Sequence, residues 1–344
     1  MNSRSQLWLP GTLAVVGAVT AATLVPIPAL ATSAQPKGAV AVSAAASGLV
    51  PGTSCPAFPA NNYWNARVDR LPVAARSRAW VAAIGSGQEL HPDFGPSFGE
   101  QSVPYGIGVT VVDAGHPTVA VDFDYADESD NVRYPLGPQT FIEGGRESDG
   151  DRHTIVVDRS TCQLYETWDT HPGTPRWHAG SGATWNLRSN RLRPKGWTSA
   201  DAAGLPILPG LLTYDEVAAG RVTHAIRFTA PVTRDRFIWP ARHRAGATEA
   251  ASHPPMGARL RLRSSFDTSS YSPAARVVLR GMKEYGIVLA DNGSAWYFQG
   301  TADERWPEDL ISDLKRIPGD AFEAVKTRPL RVSANSAATR PFSR

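Results

Sequence analysis

The chain predicts a mainly β, single-domain fold of the sandwich or jelly-roll kind, with a few peripheral helices. Three observations carry this. Short apolar stretches alternate with a two-residue period, the mark of half-buried strands. One of them, Arg152 to Trp168, reads as a complete hairpin. Helical periodicity is confined to two clear segments near the C-terminal end of the sequence.

The first residues set the compartment. Arg4 gives a positive start, and Leu13 to Val25 is apolar but short for a membrane span. Ala29-Leu30-Ala31 has the small-x-small form of a signal-peptidase site, so residues 1–31 are expected to be a signal peptide cleaved after Ala31. An uncleaved anchor is the alternative. Residues 32–54, rich in Ala, Ser and Gly, read as a flexible linker. Residues 55–326 are expected to be the β-rich domain and 327–344 a loosely ordered tail. After signal cleavage no membrane association is expected, and the protein is expected to be secreted, extracellular and monomeric.

The chain has a net charge of +3, with basic residues scattered among acids, which argues against a nucleic-acid partner. Cys55 and Cys162 are its two cysteines. In an exported chain such a pair is most simply one disulfide, here tying the start of the domain to a central strand. Two free thiols are the alternative. A four-thiolate metal site is excluded by count.

Val109 to Val112 and Val119 to Phe123 read as short strands. The acidic run Asp122 to Asp130 that follows reads as a solvated loop, with calcium binding as the alternative. In the hairpin, His153, Ile155 and Val157 share one face, and Cys162, Leu164 and Glu166 share the facing one. A two- or four-residue loop around Arg159-Ser160 would pair Val157 with Cys162, Ile155 with Leu164 and His153 with Glu166. Alternation returns in His224 to Phe228, Arg236 to Trp239, Ala258 to Leu262 and Gly286 to Ala290. Ser272 and Pro273 start a helix lined by Ala274, Val277, Val278, Met282 and Tyr285 and stopped by Gly286. Pro307 starts another, buried through Leu310, Ile311, Leu314 and Ile317, with acids at its positive end and Lys315 and Arg316 at its negative end.

Chemistry is expected where carboxylates and histidines meet. Glu166 opposite His153 could be a proton donor oriented by the ring, or a satisfied structural pair. The segment Thr198 to His224 adds Asp201, Asp215 and Glu216. Thr213-x-x-Glu216 fits a capping box before a short helix, and Thr198-x-x-Asp201 resembles the same device. Asp201 is therefore a candidate nucleophile or base, or a cap. His224 and His243 could join His153 as a metal site, although no paired-histidine motif supports it and no metal or cofactor is expected.

Tryptophans lie beside glycine, proline or polar residues. Trp185, Trp197, Trp239 and Trp296, with His224, Arg227, His243 and Asp291, are the candidate substrate-binding set, because flat rings with a polar edge suit sugar faces. The expected partner is thus a polysaccharide or cell-wall glycan. The leading expectation is a secreted glycoside hydrolase with Glu166 as acid and Asp201 as nucleophile or base. A non-catalytic carbohydrate- or wall-binding protein and a His-ligated metal enzyme are the alternatives.

Several longer motifs stand out: Asn62-Tyr63-Trp64-Asn65, His91-Pro92-Asp93-Phe94-Gly95, Asp124-Tyr125-Ala126-Asp127-Glu128-Ser129, Leu164-Tyr165-Glu166 and Thr198-Ser199-Ala200-Asp201-Ala202-Ala203-Gly204. Together, over about Cys55 to Val325, the chain resembles a family of large secreted bacterial proteins from actinobacteria and other soil lineages. The resemblance implies an exported, single-domain protein. It carries no assigned activity and so supplies no catalytic residue.

Overall fold

The computed structural model describes residues 48–97 and 105–342. The expected signal peptide and the linker up to residue 47 lie outside them. Fourteen strands are present among the described residues: β1 His91–Asp93, β2 Val109–Val112, β3 Val121–Phe123, β4 Thr154–Asp158, β5 Gln163–Trp168, β6 Trp177–Ala179, β7 Ser181–Asn186, β8 Ile226–Ala230, β9 Arg234–Phe237, β10 Pro255–Met256, β11 Arg259–Leu262, β12 Ile287–Asn292, β13 Tyr297–Gln299 and β14 Phe322–Ala324. Four α-helices accompany them: α1 Ser77–Ile84, α2 Tyr214–Ala218, α3 Pro273–Glu284 and α4 Glu308–Leu314. The fold is mainly β and sandwich-like, as the alternation predicts.

The strands form four sheets. The largest is mixed and six-stranded, in the order β1-β13-β8-β12-β11-β14; a four-stranded sheet runs β2-β4-β5-β7, and β9-β10 and β3-β6 form small pairs. β8 is parallel to β12 on one side and antiparallel to β13 on the other. All five of its residues are buried, so its polar face, Arg227 and Thr229, is enclosed as fully as its apolar face, Ile226, Phe228 and Ala230. The main apolar cluster packs this sheet against α1, α3 and α4. The four-stranded sheet has a core on each face. Ile155, Val157, Leu164 and Ala183 lie on one side, and Val112, Val156, Trp177 and Ala179 on the other.

Both expected helices form. Ser272 caps α3 by accepting from Ala275 N–H, and Pro273 occupies its first turn. Its buried face is Ala275, Val278, Leu279 and Met282, one position round from the stripe expected through Ala274 and Val277. α4 buries Leu310, Ile311 and Leu314. The Thr213–Glu216 capping box before α2 is present in both directions. Thr198 and Asp201 do not make a second one, because no helix begins there.

The hairpin departs from the expected register by one pair. Val157 faces Leu164 and Ile155 faces Glu166. The loop is the four residues 159–162, opened by Asp158, whose carboxylate accepts from the Ser160 and Thr161 backbone N–H groups. That turn moves the loop one residue toward the C-terminus, so Cys162 lies in the loop, not in a strand. The disulfide to Cys55 does form, with Cα atoms 5.4 Å apart. Because the shift is two residues in the sum, His153 and Glu166 keep a common face but are not opposite each other.

The segment after Thr327, expected to be loose, is tied down. Asn62 bridges to Ala338, Arg191 to Ser336 and Arg331 to Thr339, and Leu330 is 2 % exposed. The first two ties reach distant loops and the third closes the segment on itself, and apolar periodicity registers neither kind. No helix among the described residues is long and apolar enough to cross a membrane.

Candidate active site

The site is built where the hairpin meets the central strand of the large sheet. Glu166 on β5 is 0 % exposed. Its carboxylate accepts from the backbone N–H of Ile207 at 2.9 Å and of Leu208 at 2.8 Å. The Leu205-Pro206-Ile207-Leu208-Pro209 stretch presents those N–H groups because it sits at the start of a 3-10 turn, Leu208–Gly210, whose first donors have no helical partner. Burial pushes the Glu166 carboxyl up to about 8; the two N–H donors offset part of this, and the nearby Asp201 charge adds to it.

Asp201 is also 0 % exposed. Its two oxygens receive the guanidinium of Arg227 on β8: Nε donates to Oδ2 at 2.9 Å, and the second nitrogen to Oδ1. The turn that aims Asp201 ends at Gly204, with φ +66°; a Cβ there would meet the Trp197 carbonyl oxygen at 2.4 Å. Gly210 lets the 3-10 turn close on the arginine, since a Cβ would stand 2.9 Å from the Arg227 Cβ.

His153 is not oriented by Glu166. Its Nδ1 lies 2.6 Å from Oε2 of Glu143, whose backbone N–H in turn donates to the His153 carbonyl. Burial would lower the imidazole, but the Glu143 charge and hydrogen bond override it and raise it to about 9. For Glu143 burial acts upward, and the same partner outweighs it and holds the carboxyl below its usual range. Glu143 is half-buried and His153 is 4 % exposed. Nε2 of His153 is buried without a hydrogen-bond partner among the described residues.

Asp291, at the end of β12 beside β8, completes the group. It is half-buried and accepts from Ala202 N–H at 3.1 Å. Burial raises its carboxyl, the Asp201 charge adds to this, and Arg227 counters it. Four carboxyl groups and two cations therefore interact: Glu143, Glu166, Asp201 and Asp291 with His153 and Arg227. With every acid ionised the group would carry four negative charges against two positive. The two raised carboxyls, Glu166 and Asp291, are displaced toward their proton-holding forms, which lessens that excess.

Other candidate residues are placed elsewhere. Trp296 is 1 % exposed and belongs to the core, stacked on Phe228, with its N–H given to Gly85. Trp185 is buried and Trp197 half-buried, and the Arg193 guanidinium lies over both rings at 5.6 Å. Trp239 is half-buried and donates to Ser336. His224 binds Glu216 at 2.9 Å and His243 binds the Ala202 carbonyl at 2.8 Å, so the three histidines do not converge. No group of three or more His, Cys, Asp or Glu side chains placed to hold a metal ion exists among the described residues. The acidic run is used for internal ties: Asp122 pairs with Arg176, Glu128 accepts from Thr198 N–H, and Asp130 pairs with Arg193 at 2.6 Å.

Glu143 escaped the sequence reading. It sits among glycines in a loop, ten residues from His153, with no period linking the two. Asp93 escaped likewise; it accepts from Tyr105 Oη and from Gln299 Nε2 at 3.0 Å. Its place within the His91-Pro92-Asp93-Phe94-Gly95 motif was the available signal. No family model, curated protein or solved structure matches the chain.

Proposed function

We propose that the protein is an exported carbohydrate-active hydrolase working by carboxyl acid–base chemistry. The supporting observation is a pair of half-buried carboxyls displaced in opposite directions around Arg227. Asp291 is raised toward its proton-holding form, and Glu143, paired with His153, is lowered toward its ionised form. Acid–base hydrolysis of a glycosidic bond needs such a division of labour. In this reading Asp291 gives a proton to the leaving oxygen, and the Glu143–His153 pair manages the attacking side. Asp201 and Glu166, both fully enclosed, act as positioning residues: Asp201 holds Arg227 and adds to the upward shift that burial gives Asp291, and Glu166 holds the 207–208 backbone.

Export fits the disulfide between Cys55 and Cys162, since such bonds persist in oxidising compartments. Sequencing the N-terminus of protein recovered from culture medium tests it, with Thr32 expected first. The reaction is tested on a panel of polysaccharides with product analysis. Asp291→Asn and Glu143→Gln are each expected to lower turnover by about a hundredfold or more, with unchanged far-UV circular dichroism. Undiminished cleavage in either variant removes that residue, and no product from any glycan removes the hydrolase reading.

A second reading, glycan binding without turnover, is favoured by a separate observation. A cavity of about 960 Å³ is lined by Trp80 and Trp239 and not by the carboxyl cluster. Binding to the panel without products would select it.

A further inference from the structure

We infer that this cavity is a binding groove for an anionic glycan, a sugar chain carrying carboxylate or phosphate groups. Six cationic side chains line it: Lys195, Arg242, Lys326, Arg328, Arg331 and Arg340. No aspartate or glutamate does. Among the described residues none of the six forms a salt bridge, although many such pairs form elsewhere. Arg242 and Arg340 give their protons to backbone carbonyls and to the Asn335 side chain, which fixes their positions without cancelling their charge. Lys195, Lys326, Arg328 and Arg331 are exposed.

Like charges gathered along one wall repel one another, and an anion relieves that repulsion. The groove also has an apolar side. Trp80 and Trp239 have already committed their N–H groups, to Ala251 and Ser336, and Phe237 lies beside them. Ring surface beside cations suits a ligand with apolar C–H faces and regular negative charge. At about 960 Å³ the space is at the upper end of ordinary ligand cavities, enough for several linked sugars. The inference stands apart from the hydrolase reading, because it uses none of the carboxyl cluster.

Equilibrium binding by the purified full-length protein tests it, with polygalacturonate, a phosphorylated mannan, neutral dextran and a single-stranded DNA of matched charge as probes. At least one anionic glycan is expected to bind, more weakly as salt rises, and dextran is not. Which of the two binds more tightly identifies carboxylate or phosphate as the recognised group. Arg328→Gln combined with Arg331→Gln is expected to weaken binding at least about tenfold, and Arg280→Gln, on the exposed side of α3, to leave it unchanged. Failure of both anionic glycans to bind, equal binding of dextran, no loss in the double variant, or tighter binding of the DNA each overturns the inference. Cleavage assays play no part, so a failed hydrolase reading leaves this result intact.

Discussion

Arg227 and Arg328 carry the same guanidinium in opposite settings. Arg227 is 2 % exposed, locked to Asp201 on the central strand and surrounded by carboxyl groups. Arg328 stands in the open along a groove whose lining holds no acid. The buried region offsets its charge internally, by ion pairing and by the upward displacement of two carboxyls. The groove leaves its charge uncompensated by the protein. Altering the first should therefore be felt in stability, and altering the second in binding.

The largest effect is expected from splitting the buried pair. Arg227→Met alone should cost about 3–5 kcal/mol, because it strands the Asp201 charge. Arg227→Met together with Asp201→Leu should recover much of that loss in urea unfolding; a double variant as unstable as the single one would show that the pair's surroundings, not the stranded charge, set the cost. Next comes the disulfide, which closes a loop of 107 residues. Cys55→Ser with Cys162→Ser should lose about 2–5 kcal/mol, measured by thermal unfolding against the oxidised protein.

Glu166→Ala should cost about 1–3 kcal/mol by leaving the Ile207 and Leu208 N–H groups without an acceptor. The same residue gives a pH signature. Glu166 and His153 have folded values of about 8 and about 9, above their ordinary 4.5 and 6.5. Each therefore contributes stability that is fully present below its ordinary value and is lost as pH rises through its folded value. The melting temperature should fall as pH rises from about 4.5 to about 9, and Glu166→Gln should remove the part of the fall between about 4.5 and about 8. Glu143 has the opposite sign: its contribution is present above its ordinary value of 4.5 and is lost on acidification. The smallest effect belongs to the groove, where Arg328→Gln with Arg331→Gln should change unfolding free energy by less than about 0.5 kcal/mol.

The comparison also explains what the sequence could reveal. Strand alternation, helices α3 and α4, the capping box at Thr213 and the cysteine pair are local or compositional signals, and they reappear in the structure. The site was half legible. Glu166, Asp201, His153, Arg227 and Asp291 are polar residues in or beside apolar strands and turns, which is conspicuous. Their partners were not, because a hydrogen bond between a loop and a strand leaves no period. Arg259 shows the same limit within a strand. It is 0 % exposed, although alternation alone gives no reason to bury it, and it is satisfied by the Tyr63, Ala66 and Tyr285 carbonyls from distant segments. The groove was invisible for a related reason: its cations come from three separate stretches and add little to a net charge of +3.

The tie between residues 61–63 and 337–339 bears on how the domain assembles. Thr339 N–H and hydroxyl both reach the Asn61 carbonyl, a separation of 278 residues, and Tyr63 N–H reaches Ala337. Contacts of such span close late, because the loop entropy is lost before they repay it. The groove wall that carries Arg328, Arg331 and Arg340 belongs to this same late-joining segment. Refolding should then proceed in an order, with the carboxyl cluster and its sheets organised before the ligand groove exists, so that a polyanion recognises only the finished molecule.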